Sequence, residues 1–182
     1  GLAWISDRMA ALPHDSLDGG PTENWELGTR DTGAYATMSD VVEYIEWLGS
    51  KISISDDRRT RFEAAGKAIH DHEQDLTNAM IHGTGNLPGL AEMTNVRIIG
   101  GLNNPAREGL VSLYVDGIEA RDVVARLNEA GIRTHLRKAD HYSGNILNPL
   151  GIDSCVRVSM CHYNSIAEVA QFLGVMKSIT SE

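Results

Sequence analysis

The chain has 182 residues, and 16 Lys and Arg against 25 Asp and Glu give a formal net charge of −9 at pH 7, a balance that speaks against a nucleic-acid-binding surface. Its 42% hydrophobic and 23% charged residues are those of an ordinary globular protein long enough to bury a core unaided, which excludes disordered, collagen-like and coiled-coil classes. No apolar run approaches the roughly 18 residues of a membrane span, and no basic-then-apolar leader opens the chain, so a soluble, cytoplasmic protein is expected. Its two cysteines, Cys155 and Cys161, are too few for a disulfide scaffold and wrongly spaced for a metal knuckle, and both are expected as reduced thiols.

In chain order, Leu2 to Ile5 reads as a strand and Asp7 to Leu12 as a short helix. Natural domains rarely open in a strand, so the chain is expected to be the C-terminal part of a longer polypeptide. Pro13 to Gly33, rich in Gly, Pro, Asp and Thr, reads as a long irregular loop centred on Trp25-Glu26-Leu27-Gly28-Thr29-Arg30-Asp31, and loops of that length are functional or disordered. A helix is expected from Ser39 or Asp40 to Leu48, stopped by Gly49, and Ser50 to Asp57 as a turn. Phe62, Ala65, Ile69, Leu76 and Met80 form one stripe of a long helix over Arg58 to His82. Strands are predicted at Val96 to Ile99 and Leu110 to Val115, then an amphipathic helix at Glu119 to Ala130 stopped by Gly131. A third strand over Ile132 to Leu136, a turn-rich stretch from Arg137 to Gly151 and a fourth strand over Cys155 to Met160 follow. Ser165-Ile166-Ala167-Glu168 is a capping box that opens the last helix. The order β-β-α-β-β-α predicts a small α/β sheet with helices on one face.

On the fourth strand, period-two alternation puts Val156, Val158 and Met160 on one face and Cys155, Arg157 and Ser159 on the other, so Arg157 points away from the core. Its planar fork suits bidentate recognition of a carboxylate; a structural ion pair or a solvated arginine would show the same spacing. Gly28-Thr29-Arg30 could cradle an anion through backbone N–H groups and a hydroxyl, or be a plain turn with a capping threonine. Among the seven histidines, His70 and His72 fall on different faces of a helix and no ligand motif occurs, so no metal is expected. His141 and Tyr142 lie in a loop and could line a pocket or simply form a turn. Ser143 and Ser159 lack the context of a hydrolase nucleophile. His162-Tyr163-Asn164 reads as the connection that aims the last helix. The four lysines, Lys51, Lys67, Lys138 and Lys177, all sit in polar surroundings that do not favour an imine.

Taken together, these segments resemble the C-terminal half of the class V aminotransferase and cysteine desulfurase family, which uses pyridoxal 5′-phosphate (PLP). Gly-Leu-Ala-Trp-Ile-Ser at the start is similar to the strand after that family's Schiff-base lysine. Trp25-Glu26-Leu27-Gly28-Thr29 resembles its aromatic-Glu-x-Gly-Thr motif. Cys155-Val156-Arg157-Val158-Ser159 with His162-Tyr163-Asn164-Ser165 resembles its closing Arg-x-Ser and His-Tyr-Asn-Thr pattern. The order and spacing of the three make the resemblance specific, and it runs nearly the length of the chain.

The resemblance implies that Gly28 and Thr29 bind the PLP phosphate of a neighbouring subunit in a homodimer with a shared active site. It implies that Arg157 holds the α-carboxylate of an amino-acid substrate, and that His141 and Tyr142 line the substrate side of the cleft. PLP would act as the electron sink. The Schiff-base lysine would lie upstream of Gly1, so these residues contain no catalytic group of their own and are expected to be inactive alone. Residues 1–49 would end the large PLP domain, 50–83 would form the connecting helix, and 84–182 the small α/β domain. Where the desulfurases of the family carry a nucleophilic cysteine, an ungapped alignment of Arg137 to Ile152 places Tyr142. That points to an aminotransferase, an epimerase or a C–S lyase-type enzyme rather than a thiol-dependent desulfurase. The rival expectation is a stand-alone, non-catalytic ligand-binding or dimerisation module.

Overall fold

A computed structural model describes residues 3–21, 24–25, 27–28 and 31–181. These fall into two compact units, 1–65 and 66–182, with the division inside a long helix.

In the first unit, α1 (Asp7–Ala10) is capped by the Ser6 hydroxyl, which accepts from the Met9 amide at 3.3 Å. The expected strand at Leu2 to Ile5 is absent among its described residues, which carry no ladder; a short apolar run forms a strand only where a partner supplies the hydrogen bonds. α2 (Thr32–Ile52) begins seven residues before Ser39 and runs beyond Gly49, correcting both expected ends and the expected turn at Ser50 to Asp57. Asp31 is its true N-cap, its carboxylate accepting from the Ala34 amide at 3.1 Å. Gly33, Tyr35 and Thr37 hide that start from any apolar periodicity. Gly49 lies inside α2 because the Arg61 carbonyl packs where a Cβ would stand, at 2.0 Å. α3 (Arg58–His82) has the expected bounds, and Asp57 caps it through the Thr60 amide at 2.8 Å.

The second unit holds the core. After the end of α3, a two-residue hairpin pairs β1 (Gly83–Thr84) with β2 (Leu87–Pro88). Then come β3 (Val96–Ile99), β4 (Leu110–Val115), α4 (Ala120–Glu129), β5 (His135–Lys138), α5 (Gly144–Leu147), β6 (Ser154–Ser159) and α6 (Ile166–Thr180). The four longer strands form an antiparallel sheet in the order β3-β4-β6-β5. This is the predicted β-β-α-β-β-α unit, with Leu76, Met80 and Ile81 of α3, Val123 and Leu127 of α4, and Phe172, Leu173 and Met176 of α6 gathered against Val111, Leu113, Val156 and Val158. The third strand starts at His135 rather than Ile132 because the Ile132 amide is already spent: it donates to the Leu127 carbonyl at 2.8 Å while Gly131 donates to Asn128 at 2.9 Å. With Gly131 at φ +79°, this is a Schellman closure of α4. The stretch expected as turns between Arg137 and Gly151 instead contains α5 and a 3-10 turn at Asn148–Leu150.

Candidate functional site

Pairing places Arg157 at the middle of the sheet, directly opposite Ser112 of β4 on one side and His135 of β5 on the other. The alternation that buries Val156 and Val158 turns Arg157 to the face away from α4 and α6, where it is half-buried. Its face is not simply solvent, since Cys155 beside it is only 3% exposed. Burial pushes the Cys155 thiol up, against the opposing pull of the Arg137 and Arg157 charges.

Each of the other two arginines on that face has a partner. Arg97 is paired with Asp116 at 2.6 Å, and Arg137 donates to the Ser143 hydroxyl at 2.6 and 3.2 Å. Arg157 has none: its Nε is buried and, among the described residues, meets no hydrogen-bond acceptor. A buried guanidinium nitrogen without an acceptor is costly, and a carboxylate is the group whose geometry matches the fork. A structural ion pair, the alternative use for this residue, is absent among the described residues.

The loop carrying His141 and Tyr142 is held from below. Asp140 accepts from the Tyr142 and Ser143 amides at 3.0 and 2.7 Å, and these bonds hold its carboxyl below the usual range. The rings of His141 and Tyr142 touch at 4.1 Å between centroids, tilted by 41°, and both residues are exposed, Tyr142 by 72%. Among the described residues no hydrogen bond, ion pair or ring contact joins either to Arg157, so the three expected substrate-side residues are not brought into one contact set.

Gly28 is exposed, with open space where a Cβ would stand; Thr29 lies outside the described residues. Trp25 of the same motif stacks on His14 at 4.1 Å. Lys51, Lys67, Lys138 and Lys177 are all exposed, and Lys67 is paired with Asp71. A pyridoxal imine needs a lysine enclosed with the cofactor, and no lysine here is enclosed, so the described residues do not by themselves fit a PLP pocket. Among the described residues no cluster of His, Cys, Asp and Glu could hold a metal ion, and no helix is long and apolar enough to cross a membrane. His70 and His72 instead serve as ties, to the Glu108 carboxylate at 3.2 Å and the Asn164 carbonyl at 2.9 Å.

Sequence reasoning missed Ser112 and His135. The signal was their place opposite Arg157, which only strand register reveals.

The chain is similar to a probable cysteine desulfurase 1 of Mycobacterium leprae, 27% identical over 164 residues that make up 90% of this chain and 23% of the relative. It is similar as well to a probable cysteine desulfurase of Pyrococcus abyssi, 28% identical over 87% of this chain and 33% of the relative. The chain thus spans about a quarter to a third of the length of these curated relatives. The fold matches the apo structure of a cysteine desulfurase from Thermococcus onnurineus, with a TM-score of 0.67 and 27% identity over 98% of this chain and 37% of that one. A model of the aminotransferase class-V family, whose members depend on PLP, matches residues 18–172. The chain belongs to the aminotransferase class-V family.

Proposed function

We propose that this chain is the C-terminal portion of a PLP-dependent enzyme acting on an amino acid, and that Arg157 binds the substrate α-carboxylate. The unpartnered, buried Nε of Arg157 on the face of the sheet turned away from α4 and α6 carries this reading. Gly28 and Thr29 contribute to the cofactor phosphate across a homodimer, and the imine-forming lysine lies upstream of Gly1. The chain alone is inactive, since it has exposed lysines only. Its own part is to bind and orient: the guanidinium fork fixes two carboxylate oxygens and thereby the torsion about the Cα–carboxyl bond.

The relatives' names favour cleavage of a carbon–sulfur bond, but a phenol cannot carry sulfur as a thiolate does. With Tyr142 at the position aligned to the desulfurase cysteine, the enzyme is an aminotransferase, an epimerase or a C–S lyase that needs no protein thiol. In the enzyme carrying this chain, Arg157→Ala is expected to raise the amino-acid KM and lower kcat/KM about 100-fold, the share of a charge-assisted bidentate contact. Unchanged kinetics would remove Arg157 from the site.

The self-contained core of 66–182 favours one second reading, a stand-alone ligand-binding module. Borohydride trapping on protein from its natural source separates the two. A reduced pyridoxyl-lysine upstream of Gly1, on a polypeptide well above 19.8 kDa, supports the enzyme; an unlabelled 19.8 kDa species supports the module.

A further inference from the structure

Resting on the reading of Arg157 as a carboxylate anchor, we infer that His135 is a second ligand for the same anion and sets the tightness of its binding. In an antiparallel pair, directly opposed side chains stand about 4.5–5.5 Å apart at Cβ on one face. The pairings Ser112↔Arg157 and His135↔Arg157 therefore make a row of donors across β4, β6 and β5.

None of the three side chains has a hydrogen bond or ion pair among the described residues. Several carboxylates of this unit are committed elsewhere: Asp116 to Arg97, Asp140 to its own turn and Arg137, Glu108 to His70, Glu73 to the Gly109 amide, and Glu168 to the cap of α6. A guanidinium faced across the strands by an imidazole, with no ion pair to either among the described residues, leaves the buried Arg157 Nε short of an acceptor, and an oxyanion at that point satisfies it while accepting from the His135 ring. Ser112 is half-buried at the centre of the sheet, whereas His135 stands exposed on the edge strand β5. The anion therefore sits between Arg157 and His135 and is reached from the β5 edge. His135 is thus a binding residue, with no part in proton transfer assigned to it.

The test is an NMR titration of the 182-residue chain with sodium acetate, at ionic strength held constant with chloride, following the Arg157 Nε–Hε and His135 ring resonances. Both are expected to move on one saturating curve. His135→Leu is expected to weaken acetate binding about tenfold, the weight of one charge-assisted hydrogen bond, and His135→Gln, which keeps an N–H donor, to recover most of the loss. Core amide resonances of β4 and α6 report that each variant is folded. If His135→Leu binds as the unmodified chain does while Arg157→Ala abolishes binding, the assignment of His135 is overturned and that of Arg157 stands. If Arg157→Ala leaves the titration unchanged, both fall.

Discussion

Two arginines of the second unit show how alike residues diverge in role. Arg107, 9% exposed, spends its guanidinium on the carbonyls of Leu110, Ile99 and Gly101 at 3.1, 3.2 and 2.7 Å, so it stitches the loop between β3 and β4. Arg157 has no such acceptors. Arg107→Ala is expected to lower stability by about 3 kcal/mol, since buried carbonyls lose their donors, as denaturant unfolding would measure. Arg157→Ala is expected to change stability far less than it changes binding. Alternation along β6 was enough to turn Arg157 off the core in advance; that its Nε lacks an acceptor depends on what the neighbouring strands bring, which no local pattern encodes. The two thiols differ in the same way. Cys155 is buried with its thiol pushed up, whereas Cys161 is partly exposed, and only thiolate reacts readily. Iodoacetamide near pH 8 is therefore expected to label Cys161 in the folded chain and Cys155 only after unfolding. Equal labelling on peptide mapping would refute the burial argument.

At the scale of the element, helix ends were legible where a local cap adjoins an apolar period. Ser165 accepts from the Glu168 amide and Glu168 accepts from the Ser165 amide at 2.7 Å, as the residue pattern required. Ser165→Ala is expected to cost about 1 kcal/mol in denaturant unfolding. The Ser165 hydroxyl and amide, with the Asn164 side chain, hold the Glu168 carboxyl below its usual range. Its contribution is therefore present at neutral pH and is lost as pH falls through the acid range in which the folded carboxylate protonates. An unfolding series from pH 7 into that range should show a smaller acid loss in Glu168→Gln than in the unmodified chain. The third strand was misplaced because the capping of α4 outcompeted strand propensity at Ile132, and α2 was shortened because its cap, Asp31, lies before a run with no apolar period. Gly109 has a different constraint: an added Cβ would lie 2.3 Å from the Met160 carbonyl and 2.9 Å from the Glu73 carboxylate. Gly109→Ala is expected to cost about 2 kcal/mol through overpacking, loosening the end of β6 two residues beyond Arg157.

For the whole molecule, the two units differ sharply in burial. In 1–65, only Gly49 and Ala65 among the described residues are buried, and Trp4, Leu27, Trp47 and Ile54 are exposed; in 66–182 a continuous core runs from Leu76 to Ile179. Amides of α2 are therefore expected to exchange with solvent well before those of β4, β6 and α6, because opening α2 exposes little that is buried. Uniform protection along the chain would contradict this. An exposed apolar surface of that kind normally marks a face that another body covers. The sequence by itself determined the class of the second unit, its helix caps, the succession of its four longer strands along the chain and the face on which Arg157 lies, because propensity, periodicity and capping act over a few neighbouring residues. Only the tertiary structure decided which side chains stand beside Arg157, that Arg107 and not Arg157 is spent on the backbone, and that among the described residues His141 and Tyr142 make no hydrogen bond, ion pair or ring contact with it. Those outcomes depend on strand register and burial, which are set by contacts between residues far apart in the chain.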